Sequence, residues 1–322
     1  MLVLCTACKK TAPADNPSGT KPGEISVAVL KGPTAIALVN LMDSADKGET
    51  PADYSFRIAG TADEITADLV KGNIRIAAVP ANLASVLYNK TEGGIRVMAV
   101  NNLGVLYVVE TGNEISGIED LRGKTIYTTG KGTTPEYTLK RLLTSVGIDP
   151  EKDVTIEFRS EATEIAAEMA AADTEQSFIA MLPQPYVTVV TTQNEKAHIV
   201  LDINEEWNRH VASDSSIVTG VIAVNASFAD SYPEAVAQFL EEFRASAETA
   251  NSDIEGTAAL IEQYDIFKAA IAKKAIPMCN IVCMTGDEMK KNVEAYLQVL
   301  YDQNPAGVGG NMPGEDFYYA AD

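Results

Sequence analysis

Four short stretches carry the residue types that hold a small polar molecule. Gly32, Thr34 and Ala35 lie in KGPTAI, where a β-branched segment gives way to an apolar one. Thr129, Gly130, Thr133 and Thr134 lie in TTGKGTTP, a second change of the same kind. A strand, a glycine turn and a helix start present backbone N–H groups, and the hydroxyls beside them donate or accept. Pro80 and Asn82 in VPAN, with Gln184 and Tyr186 in LPQPY, add two amides and a ring able to stack. Asn280, in IPMCNIVCM, follows a helical stretch and joins the set. These turns are polar and uncharged. They suit a neutral heterocycle, or an anion held by backbone N–H groups. Each residue also has a plainer use. Thr34 caps a helix equally well, Pro135 suits a first helical position, and Pro80, Asn82 and Pro185 are ordinary turn residues.

Other chemistries lack their residues. GKGTTP does not have the spacing of a phosphate-binding P-loop. No GxSxG elbow or HExxH pair occurs. The chain has two histidines, His198 and His210, and four cysteines, Cys5, Cys8, Cys279 and Cys283. Their spacing fits no metal site, so neither metal nor cofactor is expected. On these grounds the protein is expected not to be an enzyme. Trp207, the one tryptophan, reads as a packing residue more than a ligand platform. Extended, Cys279 and Cys283 would stand about 13 Å apart at Cα, beyond the disulfide limit near 7 Å. A bond would need a turn there, so reduced thiols are favoured and the bonded form stays open.

The turns must be positioned by alternating strands and helices. Strands are expected at 24–30, 54–59, 74–79 and 95–101. Helices are expected at 35–42, from Thr61 as N-cap with Glu64 three residues on, and at 83–89; Gly72 ends the second. This order predicts an α/β fold with a largely parallel sheet covered by helices. A second unit begins at 106–110, with strands at 125–128, 153–158 and 177–182 and helices at 136–146 and 163–172. A strand at 220–225 follows, then long helices at 233–251 and 287–301. The tail from Gln303 onward is expected to lie over the surface. Ligands of open α/β sheets bind beyond the carboxyl ends of strands, so two turns from each half would face one another.

The chain of 322 residues has 45 acidic and 25 basic side chains, a net charge of −20, and 46% hydrophobic residues. That charge makes nucleic acid and anionic membranes poor partners. No apolar run is long enough to suggest a spanning helix. The start, MLVLCTACKK, has small residues before Cys8 and resembles a shortened lipoprotein signal. Cys5 departs from that pattern. Residues 9–23 are polar and rich in Pro, Gly and Lys, as in a flexible tether. The expected arrangement is a lipid on Cys8 holding a monomer to the outer face of a cell membrane.

Residues 125–158 (TIYTTGKGTTPEYTLKRLLTSVGIDPEKDVTIEF), 74–90 (IRIAAVPANLASVLYNK) and 178–188 (FIAMLPQPYVT) resemble the nitrate/taurine/thiamine-precursor (NMT1/THI5-like) group of ABC-transporter substrate-binding proteins. VAVLKGPTAIAL fits the same group. The resemblance covers most of 24–300. It implies a two-lobed type II periplasmic-binding-protein fold, each lobe a mainly parallel sheet with helices, and a cleft between them. Crossings are expected near Asn102–Leu106 and around Asn225. Lobe one would comprise 24–105 with 228–322, lobe two 106–227, after a signal and tether at 1–23. The implied function is capture of a small organic or anionic ligand and its delivery to ABC permease subunits. The alternative is an enzyme on this fold, similar to pyrimidine-precursor synthases or chorismate dehydratases. The former carry a cysteine-rich motif that has no counterpart here before Cys279.

Overall fold

β-Branched and apolar residues in ISVAVL form β1 (Ile25–Leu30), buried at most positions because helices cover both faces of its sheet. The protein is described here from a computed structural model covering residues 22–172, 177–211 and 216–320. Cys8 and residues 9–21 of the expected tether lie outside those residues. After β1 come α1 (Pro33–Ile36), α2 (Val39–Asp46), β2 (Tyr54–Ala59), α3 (Asp63–Lys71), β3 (Ile76–Pro80), α4 (Ala81–Lys90) and β4 (Ile95–Leu103). The helix expected over 35–42 is thus two pieces, broken at Ala37 and Leu38. α3 is capped from Ala62 rather than Thr61, although the Thr61 N–H donates to Glu64 Oε1 at 2.8 Å. Gly72 ends it in the left-handed region at φ 73°.

The chain then builds a second sheet from β5 (Leu106–Glu110), β6 (Thr125–Thr128), α5 (Thr134–Ser145), β7 (Thr155–Phe158), α6 (Ala162–Ala171), β8 (Ile179–Pro183), α7 (Tyr186–Gln193), β9 (His198–Asp202) and α8 (Ile203–His210). It returns through β10 (Val218–Asn225), α9 (Ala226–Ser231), α10 (Pro233–Ser252), α11 (Ile254–Gln263), α12 (Ala269–Ala275), β11 (Ile281–Met284) and α13 (Gly286–Gln303).

The sheet orders are β11-β4-β10-β3-β1-β2 and β7-β6-β8-β5-β9. In the first, β1 pairs in parallel with β2 and β3, and β10 inserts antiparallel between β3 and β4. In the second, β6 pairs in parallel with β7 and β8, and β5 inserts antiparallel between β8 and β9. The second sheet therefore runs one way except for β5, and the first except for β10 and the edge strand β11, which is antiparallel to β4; β5 and β10 are the strands that follow a crossing. The chain first passes between the sheets at Gly104 and Val105. The second passage falls before Val218, not at Asn225, which is the far end of a strand already in the first sheet. The β10 strand had to be placed by its partners, which lie more than a hundred residues away.

One apolar core fills one face of the first sheet, where Val236, Phe239, Phe243 and Ala250 recur at helical spacing along α10. Each large side chain buried there contributes about 1.5–3 kcal/mol. A second core runs without a break from Val97 and Val100 of the first sheet to Val108 and Met181 of the second. Helix α13 joins the two through Met289, Val293, Tyr296, Leu297 and Leu300. Trp207 is fully buried, with its ring 6.0 Å from that of Tyr296, so it is a packing residue. Cys279 and Cys283 are free thiols, and burial pushes the Cys279 thiol up to about 12. The tail is not merely laid on the surface. Phe317 is fully buried, the Tyr319 N–H donates to Val97 O at 2.8 Å, and Ser85 Oγ donates to Val308 O at 2.7 Å.

Candidate ligand site at the lobe crossing

The turn after β1 is held from within. The Thr34 hydroxyl donates to Leu30 O at 2.9 Å and the Ala35 N–H donates to Gly32 O at 3.1 Å. Gly32 adopts φ 134°, a conformation that favours glycine, with open space where a Cβ would stand. Thr34 O in turn accepts from Asn101 Nδ2 at 3.1 Å, which brings β4 into the same corner. Beside it, a Cβ on Gly220 would come within 2.4 Å of Asn101 Oδ1 and 2.9 Å of Thr34 Cγ2. Gly220 opposes Pro80 across the β10–β3 pair, so the turns after β1 and β3 converge there.

In the second lobe, Thr128 ends β6 fully buried. In the loop that follows, Thr133 Oγ1 donates to Gly130 O at 2.6 Å, and the Gly132 N–H donates to Glu136 Oε2 at 2.5 Å. Thr129 is half-buried and Thr133 exposed, whereas Thr134 is buried and donates its hydroxyl to Asn82 Oδ1 at 3.1 Å. That bond ties the helix start after β6 to the helix start after β3. It joins two turns singled out from opposite halves of the sequence.

Gln184 is fully buried. It donates to Met278 Sδ at 3.4 Å and accepts from the Thr188 hydroxyl at 2.8 Å. Tyr186 meets Phe267 edge to face at 5.5 Å. Asn280 adopts φ 43° and donates to Gly104 O at 2.5 Å, while Leu103 N–H donates to Asn280 O at 3.1 Å. Gln184, Tyr186 and Asn280 therefore make contacts between lobes in this arrangement.

Sequence reasoning missed a group at the crossing itself: Asn101, Asn102, Tyr107, Asp202, Asn204 and Thr219. Asn102 Nδ2 donates to Cys279 O at 3.1 Å, and the Tyr107 hydroxyl donates to Met278 O at 3.0 Å. Asn204 packs on Gly104 so closely that a Cβ there would meet its Oδ1 at 2.8 Å. Burial raises the Asp202 carboxyl above the usual aspartate range, against two N–H groups that lower it. Burial, then the nearby Asp202 charge, raises the Tyr107 phenol. The asparagine pair in VNNLG was the available signal: two adjacent amides inside an apolar strand.

Three arginines in or beside the strands of the first sheet are engaged away from these turns. Arg57 bonds to Asp68 at 3.1 Å, Arg75 lies 5.8 Å from the Phe228 ring, and Arg96 pairs with Asp230 at 2.5 Å. Lys31 and Lys131 at the turn tips are exposed, with Lys131 Nζ 5.7 Å from the Phe158 ring. Among the described residues no cluster of metal-ligating side chains occurs, and no helix is long and apolar enough to cross a membrane.

A sequence profile of the family described as menaquinone biosynthesis matches residues 57–302. The chain belongs to that family. The expectation that the protein is not an enzyme is therefore overturned, because the family is described by a biosynthetic pathway. The absence of known catalytic motifs was the wrong ground, since a site assembled at a crossing leaves no local motif. Solved structures share the fold. An ABC transporter protein from Parabacteroides distasonis is 23% identical, with TM-score 0.78, over 94% of this chain and 100% of that one. The periplasmic aliphatic sulphonate binding protein of Escherichia coli is 13% identical, with TM-score 0.73, over 94% of each chain. The periplasmic nitrate-binding protein of Synechocystis PCC 6803 is 12% identical, with TM-score 0.60, over 88% of this chain and 82% of that one. These likenesses make the architecture that of the periplasmic-binding-protein fold. No curated protein matches the chain by sequence.

Proposed function

We propose that the protein captures a small polar organic ligand between lobe one, residues 24–103 with 218–322, and lobe two, residues 105–211. The observation that carries this reading is the Thr134–Asn82 hydrogen bond at 3.1 Å, made by side chains at facing helix starts of the two sheets. Contacts from both lobes to one ligand would favour the closed arrangement over an open one. Gly32, Thr34, Pro80 and Asn82 would serve from lobe one, and Thr129, Gly130, Thr133, Thr134, Gln184 and Tyr186 from lobe two, with Asn280 at the crossing.

The family match favours chemistry on the captured molecule, as in the chorismate-dehydratase-like alternative. The group suited to handle a proton is Asp202, whose carboxyl is raised by burial beside the crossing. A second reading, delivery to an ABC permease by a protein held through Cys8, is favoured by the full-length likeness to a transporter protein.

The test combines a thermal-shift screen with a turnover assay on the full chain. A ligand at a hundredfold its Kd adds about 2.7 kcal/mol of stability, a readable shift. Loss of water from chorismate, abolished by Asp202→Asn, supports the enzymatic reading. A melt shift without turnover of the bound compound supports delivery. No shift with any small polar compound would sink the capture reading.

A further inference from the structure

We propose that the cleft opens on one flank only: α7 of lobe two parts from the α11–α12 segment of lobe one at the Tyr186–Phe267 contact, while α5 stays docked on lobe one and serves as the pivot. This gate admits the molecule of the capture reading above, on which the inference rests.

The apolar cores are divided unequally between the lobes. Successive residues of a strand face opposite sides of its sheet, and here the two sides belong to different cores. Ala77 and Val79 of β3, with Leu106 and Val108 of β5, lie in a core that both lobes share under α4, α5, α8 and α13. Ile76 and Ala78 face the other way, into the core under α10, whose buried members among the described residues all belong to lobe one. Tyr107 and Val109 likewise face the core under α6 and α7, whose buried members all belong to lobe two. A motion that parts these separate cores leaves each intact. A motion on the opposite flank would tear the shared core and expose Trp207 and Leu297, both fully buried.

The polar contacts divide in the same way. On α5, Thr134, Tyr137 and Thr138 recur at the spacing of one helix face. Thr134 donates to Asn82, the Tyr137 hydroxyl accepts from Asn304 Nδ2 at 2.6 Å, and Thr138 shares a 3.0 Å bond with Tyr296. All three partners belong to lobe one. The α7 flank is held more lightly. The Tyr186 and Phe267 rings meet at an edge, and Lys274 Nζ reaches Thr192 Oγ1 only at 3.5 Å, with both residues exposed. Gln184 reaches the Met278 thioether, a weak acceptor. Phe267 packs on the lobe-one core and Tyr186 on the lobe-two core, so each ring keeps its footing when they separate. The turn after β1 leads into Ala35 and Ile36 of the lobe-one core, which places it on this same flank. Thr34 and Gln184 are buried, so a ligand reaches them only when these faces part.

The experiment measures distances between spin labels on the full chain without ligand. Cys5, Cys8 and Cys283 are replaced by serine, and Cys279 stays because it is buried. Labelled cysteines at exposed Gln193 and Lys273 read the gate, those at Thr144 and Gln298 read the α5 flank, and those at Lys273 and Glu248 read lobe one alone. Phe267→Ala should raise the long-distance population of the gate pair about three- to tenfold, with the other two pairs unchanged. Thr192→Glu gives Lys274 an opposite charge and should shift the gate pair toward short distances, an effect lost in about 1 M salt. A change in the lobe-one pair equal to that in the gate pair would mean a loosened loop and overturns the inference. Equal lengthening on the α5 flank overturns it, as does a gate pair that neither variant moves. No ligand enters the measurement, so each of these results leaves standing the capture reading, which the melt screen tests separately.

Discussion

Gly104 concentrates the demands placed on the first crossing. Its carbonyl accepts from Asn280, and Asn204 occupies the space a side chain would need. Gly104→Ala is expected to destabilise the protein by about 1–3 kcal/mol, read from the urea midpoint, because the added methyl overpacks against Asn204. Paired with Asn204→Gly, the added cost of the alanine should fall to within about 0.5 kcal/mol, the signature of two residues in direct contact. The candidate turns were legible at this scale because strand, glycine and helix start are local signals. Their bonds were not. Nothing around Thr134 announces that its hydroxyl reaches Asn82, since that contact depends on how two sheets meet. Asn101, Asn102 and Thr219 escaped notice for the same reason: a polar residue inside a strand acquires its meaning from the neighbouring strand.

Helix α8 begins on Asp202, whose carboxylate accepts from the N–H groups of Asn204 and Glu205. The cap favours the charged form, but burial is the larger influence and the carboxyl titrates above its ordinary 3.8. A raised carboxyl binds its proton more tightly folded than unfolded. Its stability contribution is thus full below about 3.8 and is lost as pH rises through the folded value. Asparagine caps equally well and does not titrate. Asp202→Asn should therefore gain stability relative to the native chain across that window, seen as melting curves that diverge from pH 3.5 upward and then run parallel. Equal divergence at every pH would refute the burial effect. Helices with strong terminators, such as α3 with Gly72, were readable in the sequence. The β9 and β11 strands were not. Each is short, and β11 bonds to β4 alone, so its strand character comes from pairing more than from residue type.

Across the whole molecule, α13 makes two lobes into one thermodynamic body. Tyr296 stands at the join, touching Trp207 and sharing a 3.0 Å hydrogen bond with Thr138 of the second lobe. Trp207 fluorescence and far-UV circular dichroism should therefore report coincident unfolding. Tyr296→Ala should cost about 3 kcal/mol or more and separate the two probes, with the tryptophan signal moving first. Coincident curves in that variant would show that the lobes are coupled elsewhere.

The order of strands also bears on how the protein is made. The second sheet draws on one continuous stretch, Leu106–Asp202, and can form as soon as that stretch is synthesised. The first sheet cannot. Its β3 and β4 wait for β10 to come between them, and Val97 waits for Tyr319, almost the last residue described. During synthesis the half made first is thus the half completed last. Its strand edges stay open throughout, which exposes the nascent chain to mispairing. A chaperone that holds the chain unfolded until its end has been made would act on residues 24–103.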